Sequence, residues 1–455
     1  MSLVVCADFG STFTKALLVD VDAGTLVASA SAPTTVDTDV LEGWDQCRAA
    51  LARTEPGAAR AQVRACSSAG GGLRIGVVGN EELVTAEAGR RVALSSGGRV
   101  VHVGAGGLDH GRIEALRASR PDLVLLVGGT DGGNAEVVVS AAGSLGKARW
   151  PGPVVLAGNA DAVEQAGAAL RAGGVHHEVA GNVMPRIGVL TPEPARAAIR
   201  AAFLRHVIGG KHLSASAEFE QMVTGPTPDV VRRGVERLAA VVGDVAVVDV
   251  GGATTDVYSV VEPDPEDAGL ARQVVAPTRT TRTVEGDLGM RWSAESTVQQ
   301  GADAGLVGPG EVEADLAAAA RERRIHPALV PADEAGLRTD LRLAEVAAGV
   351  ALRRHCGRQR VVLSPGGRVV ERTGKDLREV GLLVGSGGVL RHAAPVAAER
   401  VLAASTGTEV AGGWLLPRAP RLAVDRAYVL MAAGLLADDL PDAAAALLTT
   451  SFGGA

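Results

Sequence analysis

Asp8-Phe9-Gly10-Ser11-Thr12-Phe13-Thr14-Lys15 joins two apolar runs near the start of the chain, and Asp249-Val250-Gly251-Gly252-Ala253-Thr254-Thr255-Asp256 does the same far downstream. Each octet is Asp-x-Gly, then small residues, then threonine and a charge. Leu3–Ala7 and Thr14–Val21 flank the first; Val245–Val250 and Thr255–Val261 flank the second. Apolar runs broken by a glycine turn in this way read as β-hairpins. At a glycine-rich tip, successive N–H groups converge on an anion with no Cβ in the way. Gly10, Ser11 and Thr12 in one tip, and Gly251, Gly252 and Thr254 in the other, supply such groups together with hydroxyl donors. The leading carboxylates, Asp8 and Asp249, stand where a hydrated Mg2+ would be held, because that ion takes few carboxylates and keeps waters and phosphate oxygens. Lys15 adds a positive charge suited to β- and γ-phosphate. One such hairpin is equally an ordinary glycine turn, but two copies at the starts of two similar meanders set the pair apart. No GxxxxGK[ST] stretch occurs, so P-loop phosphate binding is excluded.

Thr25–Ala30 extends the first meander by a strand, and Arg279–Thr283 extends the second. From Ala61 the pattern turns to strand–loop–helix alternation. Ile75–Val78, Val100–Val103, Leu123–Val127 and Val154–Leu156 are apolar enough for buried strands. Glu81–Leu94, Gly107–Ala118, Ala135–Leu145 and Ala160–Ala172 carry helical spacing between them. That βαβ series predicts a parallel sheet. The chain therefore divides into residues 1–60 (first meander), 61–181 (βαβ segment), 182–244 (helical return and connection) and 245–455 (second half). An acidic loop is read over Glu262–Ala268, helices over Asp315–Arg324 and Leu343–Arg354, and a closing helix over Asp425–Leu436. Arg378–Val384 runs into Gly385-Ser386-Gly387-Gly388 at a helix start, where backbone could lie flat against adenine and ribose.

Composition sets the outer limits. The 455 residues are 47% hydrophobic and 21% charged, ordinary for a globular chain. A net charge of −7 argues against a dedicated nucleic-acid binder. Ala427–Ala437 is the longest apolar run, too short for a membrane helix, and no basic leader precedes Asp8. The four cysteines form no CxxC pair, which fits a reducing cytoplasm. Only Lys15, Lys147, Lys211 and Lys375 are lysines, so isolated arginines carry little weight.

The ordered set of two hairpins and the Gly385–Gly388 cluster resembles the actin/Hsp70/sugar-kinase superfamily. More narrowly, Asp8–Lys15, Gly128–Asn134, Ala157-Gly158-Asn159, Glu285–Arg291 and Gly385–Gly388 are similar to the glutamate mutase accessory (MutL/GlmL) family over nearly the whole chain. The resemblance implies an actin-like (ribonuclease H-like) α/β ATPase, with two related halves around a nucleotide cleft and an inserted βαβ segment. It implies ATP or ADP with Mg2+, and a role as a reactivating chaperone for an adenosylcobalamin-dependent aminomutase. Cobalamin would then enter only through the partner enzyme, since no Asp-x-His-x-x-Gly stretch occurs here. Carried over by position, Asp8, Gly10, Ser11, Thr12 and Lys15 form the first phosphate site. Asp249, Gly251, Gly252 and Thr254 form the second, and Gly385, Ser386, Gly387 and Gly388 border adenosine. Asp8 or Asp249 positions the attacking water. Ala253 departs from the superfamily's usual third glycine.

Other residues keep two readings. Glu285 could bind ribose or orient metal-bound water, while Asp287 could instead cap a helix from Leu288. Asp131, at a strand end, suits a ligand loop or a plain turn with Asn134 capping the next helix. His176-His177 reads as a solvated turn. A small-molecule kinase using Asp131 as base, or an actin-like assembly ATPase, stands as the alternative function, and self-association is left open.

Overall fold

The computed structural model describes residues 2–262, 278–310, 315–364, 367–408 and 411–453. The loop read at 262–268 lies outside the described residues from 263 onward. The chain forms two compact units, one of residues 2–234 and 431–447, the other of 235–262, 278–430 and 448–453.

In the first unit, β1 (Leu3–Phe9), β2 (Phe13–Asp20) and β3 (Thr25–Pro33) form the expected antiparallel meander. β4 (Gln62–Ser67) then pairs in parallel with β1. This strand lies inside the 61–181 range read as the insert. It is half-polar, and its partner sits far back in the chain, so no local pattern reveals it. The chain leaves for a second sheet made of β5 (Leu73–Gly79), β6 (Gly98–Ala105), β7 (Leu123–Leu126), β8 (Val154–Leu156) and β9 (His177–Val179). All its pairings are parallel, in the order β6-β5-β7-β8-β9. β10 (Val223–Pro226) returns to β4 and closes the first sheet as β10-β4-β1-β2-β3.

Strand alternation decides how the parallel sheet is covered. Ile75, Val77, Leu123 and Leu125 face the core shared with Phe9, Trp44 and Phe203. Val78, Val124, Leu126 and Leu156 face a separate core with Leu145 and Leu170. Both faces are thus buried, which is why these strands read as unbroken apolar runs. Phe9 meets Phe219 edge-on at 4.9 Å between centroids, fixing the end of β1. The 431–447 segment belongs to this unit: Asp438 pairs with Arg233, and Asp439 with Arg64.

The second unit repeats the first sheet. β11 (Val245–Val250), β12 (Thr255–Val260) and β13 (Thr280–Glu285) are an antiparallel meander. An antiparallel ribbon, β14 (Arg358–Ser364) with β15 (Gly367–Thr373), follows. β16 (Leu382–Ser386) and β17 (Arg421–Val424) add parallel strands, giving β13-β12-β11-β16-β17. The topology of the first sheet therefore recurs strand for strand, the actin-like (ribonuclease H-like) arrangement of two related halves that the resemblance implies. Helix Glu334–His355, longer than the Leu343–Arg354 read from spacing, packs Leu343, Val346, Ala347 and Val350 into this unit's core. The helix read over Asp425–Leu436 begins at Val429, because Asp425 accepts hydrogen bonds from Val429 and Leu430, and it does not close the chain, since a further helix, Pro441–Phe452, follows it. Among the described residues no helix is long and apolar enough to cross a membrane.

His355 ties that long helix to the sheet. Ser259 Oγ lies 2.8 Å from its Nε2 and Thr283 Oγ1 lies 2.9 Å from its Nδ1. Burial, then the charge of Lys375, push its pKa down from 6.5 to about 3. Between those values the unfolded chain binds a proton that the folded chain refuses. The contribution of neutral His355 is therefore complete above about pH 6.5 and is lost as pH falls toward 3. Urea unfolding of the wild type and His355→Gln should show a shallower loss of stability across this window in the variant. Equal slopes would remove His355 from the account.

Candidate functional site

The first tip is built from the end of β1. Asp8 stands opposite Lys15, and the turn closes with Gly10 N–H donating to Phe13 O at 3.2 Å. A Cβ on Gly10 would sit 2.6 Å from that carbonyl, so no other residue fits. Ser11 and Thr12 are exposed, and their N–H groups have no protein partner among the described residues. Asp8 is only 5% exposed, yet it is well supplied with donors. Lys15 Nζ lies 3.3 Å from Oδ2, and Thr227 Oγ1 donates to Oδ1 at 2.6 Å. Cys66 Sγ makes a longer contact of 3.7 Å to Oδ1. Burial first, and then the charge of Asp8, hold the Cys66 thiol well above its usual range, so it stays protonated as a donor.

The second tip has the same closure, with Gly251 N–H donating to Thr254 O at 2.9 Å and Asp249 opposite Asp256. The residue in the Lys15 position is thus an acid, and it is neutralised from behind. Arg282 on β13, itself buried, reaches Asp256 Oδ1 at 2.6 Å. The segment after β13 holds the tip's carbonyls. Met290 N–H donates to Gly251 O, Arg291 and Trp292 N–H to Gly252 O, and Ser293 Oγ to Ala253 O. Gly289 is needed there, because a Cβ would lie 2.7 Å from Gly252 O. With these carbonyls committed to one side, the N–H groups of Gly252 and Ala253 are left without a protein partner among the described residues.

Glu285 and Asp287 both pair with Arg354, at 2.8 Å each. Burial raises the Glu285 carboxyl, against the pull of Arg354. No helix starts at Leu288, so Asp287 caps nothing; the helix begins at Ala294. The reason is local: residues up to Ser293 are spent on the tip's carbonyls.

Ser386 stands beside Asp249 across the parallel β11–β16 pair. Gly387 has φ 103°, and a Cβ there would fall 2.2 Å from Val250 O. Gly385 packs beneath Leu390 and Leu402, while Gly388 faces open space. The second unit therefore gathers Asp249, Gly251, Gly252, Thr254, Ser386, Gly387 and Gly388 at one edge of its sheet.

The Gly128–Asn134 loop is held by the neighbouring segments at 159–161 and 182–185. Asp131 Oδ1 accepts from Ala160 N–H and Asn182 Nδ2, and Asp161 accepts from Gly132 N–H. Asn134 Oδ1 accepts from Glu136 N–H, the first residue of the following helix, whose N-cap position is Ala135. His177 opens the edge strand β9. Among the described residues, no three His, Cys, Asp or Glu side chains converge as a metal cluster. Sequence reasoning missed Thr227; a threonine after Pro226 at a helix start reads as ordinary capping, and its target lies 219 positions away.

With this geometry in view, comparison with known proteins gives two classes of match. The profile of the "MutL protein" family matches residues 4–452. "Protein MutL" of Clostridium tetanomorphum is 35% identical over 457 residues, covering 98% of each chain. Among solved structures, a nucleotide-free acetone carboxylase aligns with TM-score 0.32 and 16% identity over 64% of this chain and 48% of its own, about half its length. A ROK hexokinase from Thermus thermophilus aligns with TM-score 0.27 and 13% identity over 98% and 97%.

Removing the Thr227 hydroxyl leaves Asp8 Oδ1 with only the long Cys66 contact. Thr227→Val should cost about 1–2 kcal/mol in urea unfolding, and Thr227→Ser should recover most of it. A valine variant as stable as wild type would show that the hydroxyl does not support Asp8.

Proposed function

The chain belongs to the MutL protein family, and from that premise we propose that it is an ATP-dependent reactivating chaperone for an adenosylcobalamin-dependent aminomutase of the glutamate mutase type. ATP turnover would drive release of damaged cobalamin from the client. The observation that carries this reading is the pair of glycine tips, each closed by the same hydrogen bond and each with N–H groups open to an anion beside an aspartate.

The residues present fit a magnesium nucleotide. Phosphate oxygens need donors, and the unpartnered N–H groups of Ser11, Thr12, Gly252 and Ala253 are such donors. Gly10, Gly251, Gly252 and Thr254 shape the tips, Lys15 offsets phosphate charge, and Gly385, Ser386, Gly387 and Gly388 border the nucleoside in this reading. Mg2+ would be held through its waters by Asp8 and Asp249, and when bound it neutralises charge on the phosphate oxygens. Asp8 is buried with both oxygens engaged by donors, which suits a fixed carboxylate. Asp249 is less buried, and we assign it the positioning of the attacking water. Glu285, committed to Arg354, acts as a support for the second tip. The cytoplasm is the proposed setting, in keeping with cysteines that are all free thiols and buried.

A chaperone needs its client to distinguish nucleotide states, because equal affinity shifts nothing. We expect slow basal ATPase, no phosphorylated metabolite, and recovery of a cobalamin-inactivated glutamate mutase that requires this protein, Mg·ATP and fresh adenosylcobalamin. Asp8→Ala and Asp249→Ala should each lower turnover about 100-fold or more and abolish recovery. Transfer of γ-phosphate to a small acceptor without recovery would sink the chaperone reading and leave the kinase.

Lys15→Ala should weaken ATP binding roughly tenfold, about 1.4 kcal/mol, with adenosine affinity unchanged. Calorimetric titration of both ligands checks this, and equal ATP affinity in the two proteins would remove Lys15 from the phosphate site.

A further inference from the structure

Helix Glu334–His355 carries one acid on its buried side. Asp340, 3% exposed, sits between two arginines: Arg291 Nη2 donates to its Oδ2 at 2.9 Å, and Arg323 Nε donates to its Oδ1. Arg323, on helix Leu316–Ile325, is buried as well and donates further to Ala319 O and Gly336 O. Arg291 also reaches Leu329 O and Met290 O. Burying charge costs solvation, and a packed apolar contact joins two helices at least as well. What directional bonds add is a fixed aim, and the arm that leaves the two helices ends at Arg291.

Arg291 is where the second glycine tip is held. Its N–H and that of Trp292 converge on Gly252 O at 2.7 and 3.0 Å, while Met290 N–H donates to Gly251 O at 3.0 Å. The Arg291 Cβ and Cγ run beneath Gly252, each 3.7 Å from where a Cβ on that glycine would stand. In a planar trans peptide the C=O and the following N–H point in opposite directions. Gly252 O turned onto Arg291 and Trp292 therefore aims Ala253 N–H the other way, and Gly251 O turned onto Met290 does the same for Gly252 N–H. These are the two N–H groups that have no protein partner among the described residues. The clamp on the carbonyls thus sets the direction in which the tip presents its donors. Residues 286–293 lie between β13 and the helix from Ala294, in neither strand nor helix, so no regular ladder fixes the clamp. The anchored guanidinium of Arg291 does.

We propose that Asp340, itself held by Arg323, is a positioning residue for the second glycine tip: acting through Arg291, it fixes the peptides from Gly251 to Ala253 so that their N–H groups meet phosphate oxygens as charge develops there. This rests on the ATPase part of the chaperone reading and adds a residue 88 positions from Gly252 on which turnover depends.

The test compares the full-length wild type with Asp340→Asn, which keeps the shape and removes the charge, with Arg291→Lys, and with the double variant. Amide hydrogen exchange without nucleotide should quicken about tenfold at Arg291 and Trp292 in Asp340→Asn, while β11 keeps wild-type protection. A merely structural ion pair would loosen the core strand along with them. Turnover of Mg·ATP should fall roughly 10- to 100-fold in kcat, with KM changed by less than about threefold, because Lys15 and the nucleoside contacts of the proposed site remain. The double variant should be no slower than the worse single one, since both changes cut the same link. Arg291 is partly exposed, so Arg291→Lys carries the same exchange and kinetic test if Asp340→Asn does not fold. Wild-type exchange at Arg291 and Trp292, a loss confined to KM, or kcat losses that multiply in the double variant would overturn the role of Asp340 and leave the chaperone reading standing. A wild type that hydrolyses no ATP, with the two amides still loosened in Asp340→Asn, would sink the chaperone reading and leave the clamp.

Discussion

A carboxylate at the end of an apolar strand is the constraint around which the first unit is arranged. Asp8 follows Val4–Ala7, is almost fully buried, and carries a charge that an apolar interior would reject if left alone. Its donors come from separate elements: Lys15 from β2, Cys66 from β4, and Thr227 from the residue that follows β10. The strand order β10-β4-β1-β2-β3 is what brings them to one point. A sheet that placed β4 or β10 elsewhere would leave Lys15 on Oδ2 but strip Oδ1 of its thiol or hydroxyl donor, so topology and site are linked.

The second unit repeats the sheet but changes the charge scheme. Lys15 and Asp256 occupy equivalent register positions and have opposite signs. The first tip therefore has a cation beside its aspartate. The second has an acid cancelled from below by buried Arg282, which leaves backbone N–H groups as its main donors. The two tips are alike in closure and unequal in charge, one with a cation beside its aspartate and one built on backbone dipoles.

The meanders and the βαβ segment were legible in the sequence because their signals are local. Leu3–Phe9, Val245–Val250 and Leu123–Leu126 each announce themselves by a short apolar run. β4, β10 and β17 did not, since they are short, partly polar and recruited by partners distant in sequence. The ribbon β14–β15 escaped because Val361, Val362 and Val370 follow no apolar period among charged residues. At the site, the glycines could be read directly, as only glycine fits Gly10 and Gly387. The hydroxyl of Thr227 and the guanidinium of Arg354 could not, because each acts on a carboxylate more than sixty positions away.

The same accounting bears on the kinase alternative, which needed Asp131 as a base. A base must present an oxygen to the hydroxyl it activates. Asp131 Oδ1 accepts from Ala160 N–H and Asn182 Nδ2, and Asp131 N–H donates to Pro185 O, which fixes the carboxylate while Oδ2 makes no hydrogen bond among the described residues. Asn182 also donates to Gly129 O, while Asn159 donates to Gly133 O. The loop's polar groups are therefore spent on holding the carboxyl edge of the parallel sheet in one shape.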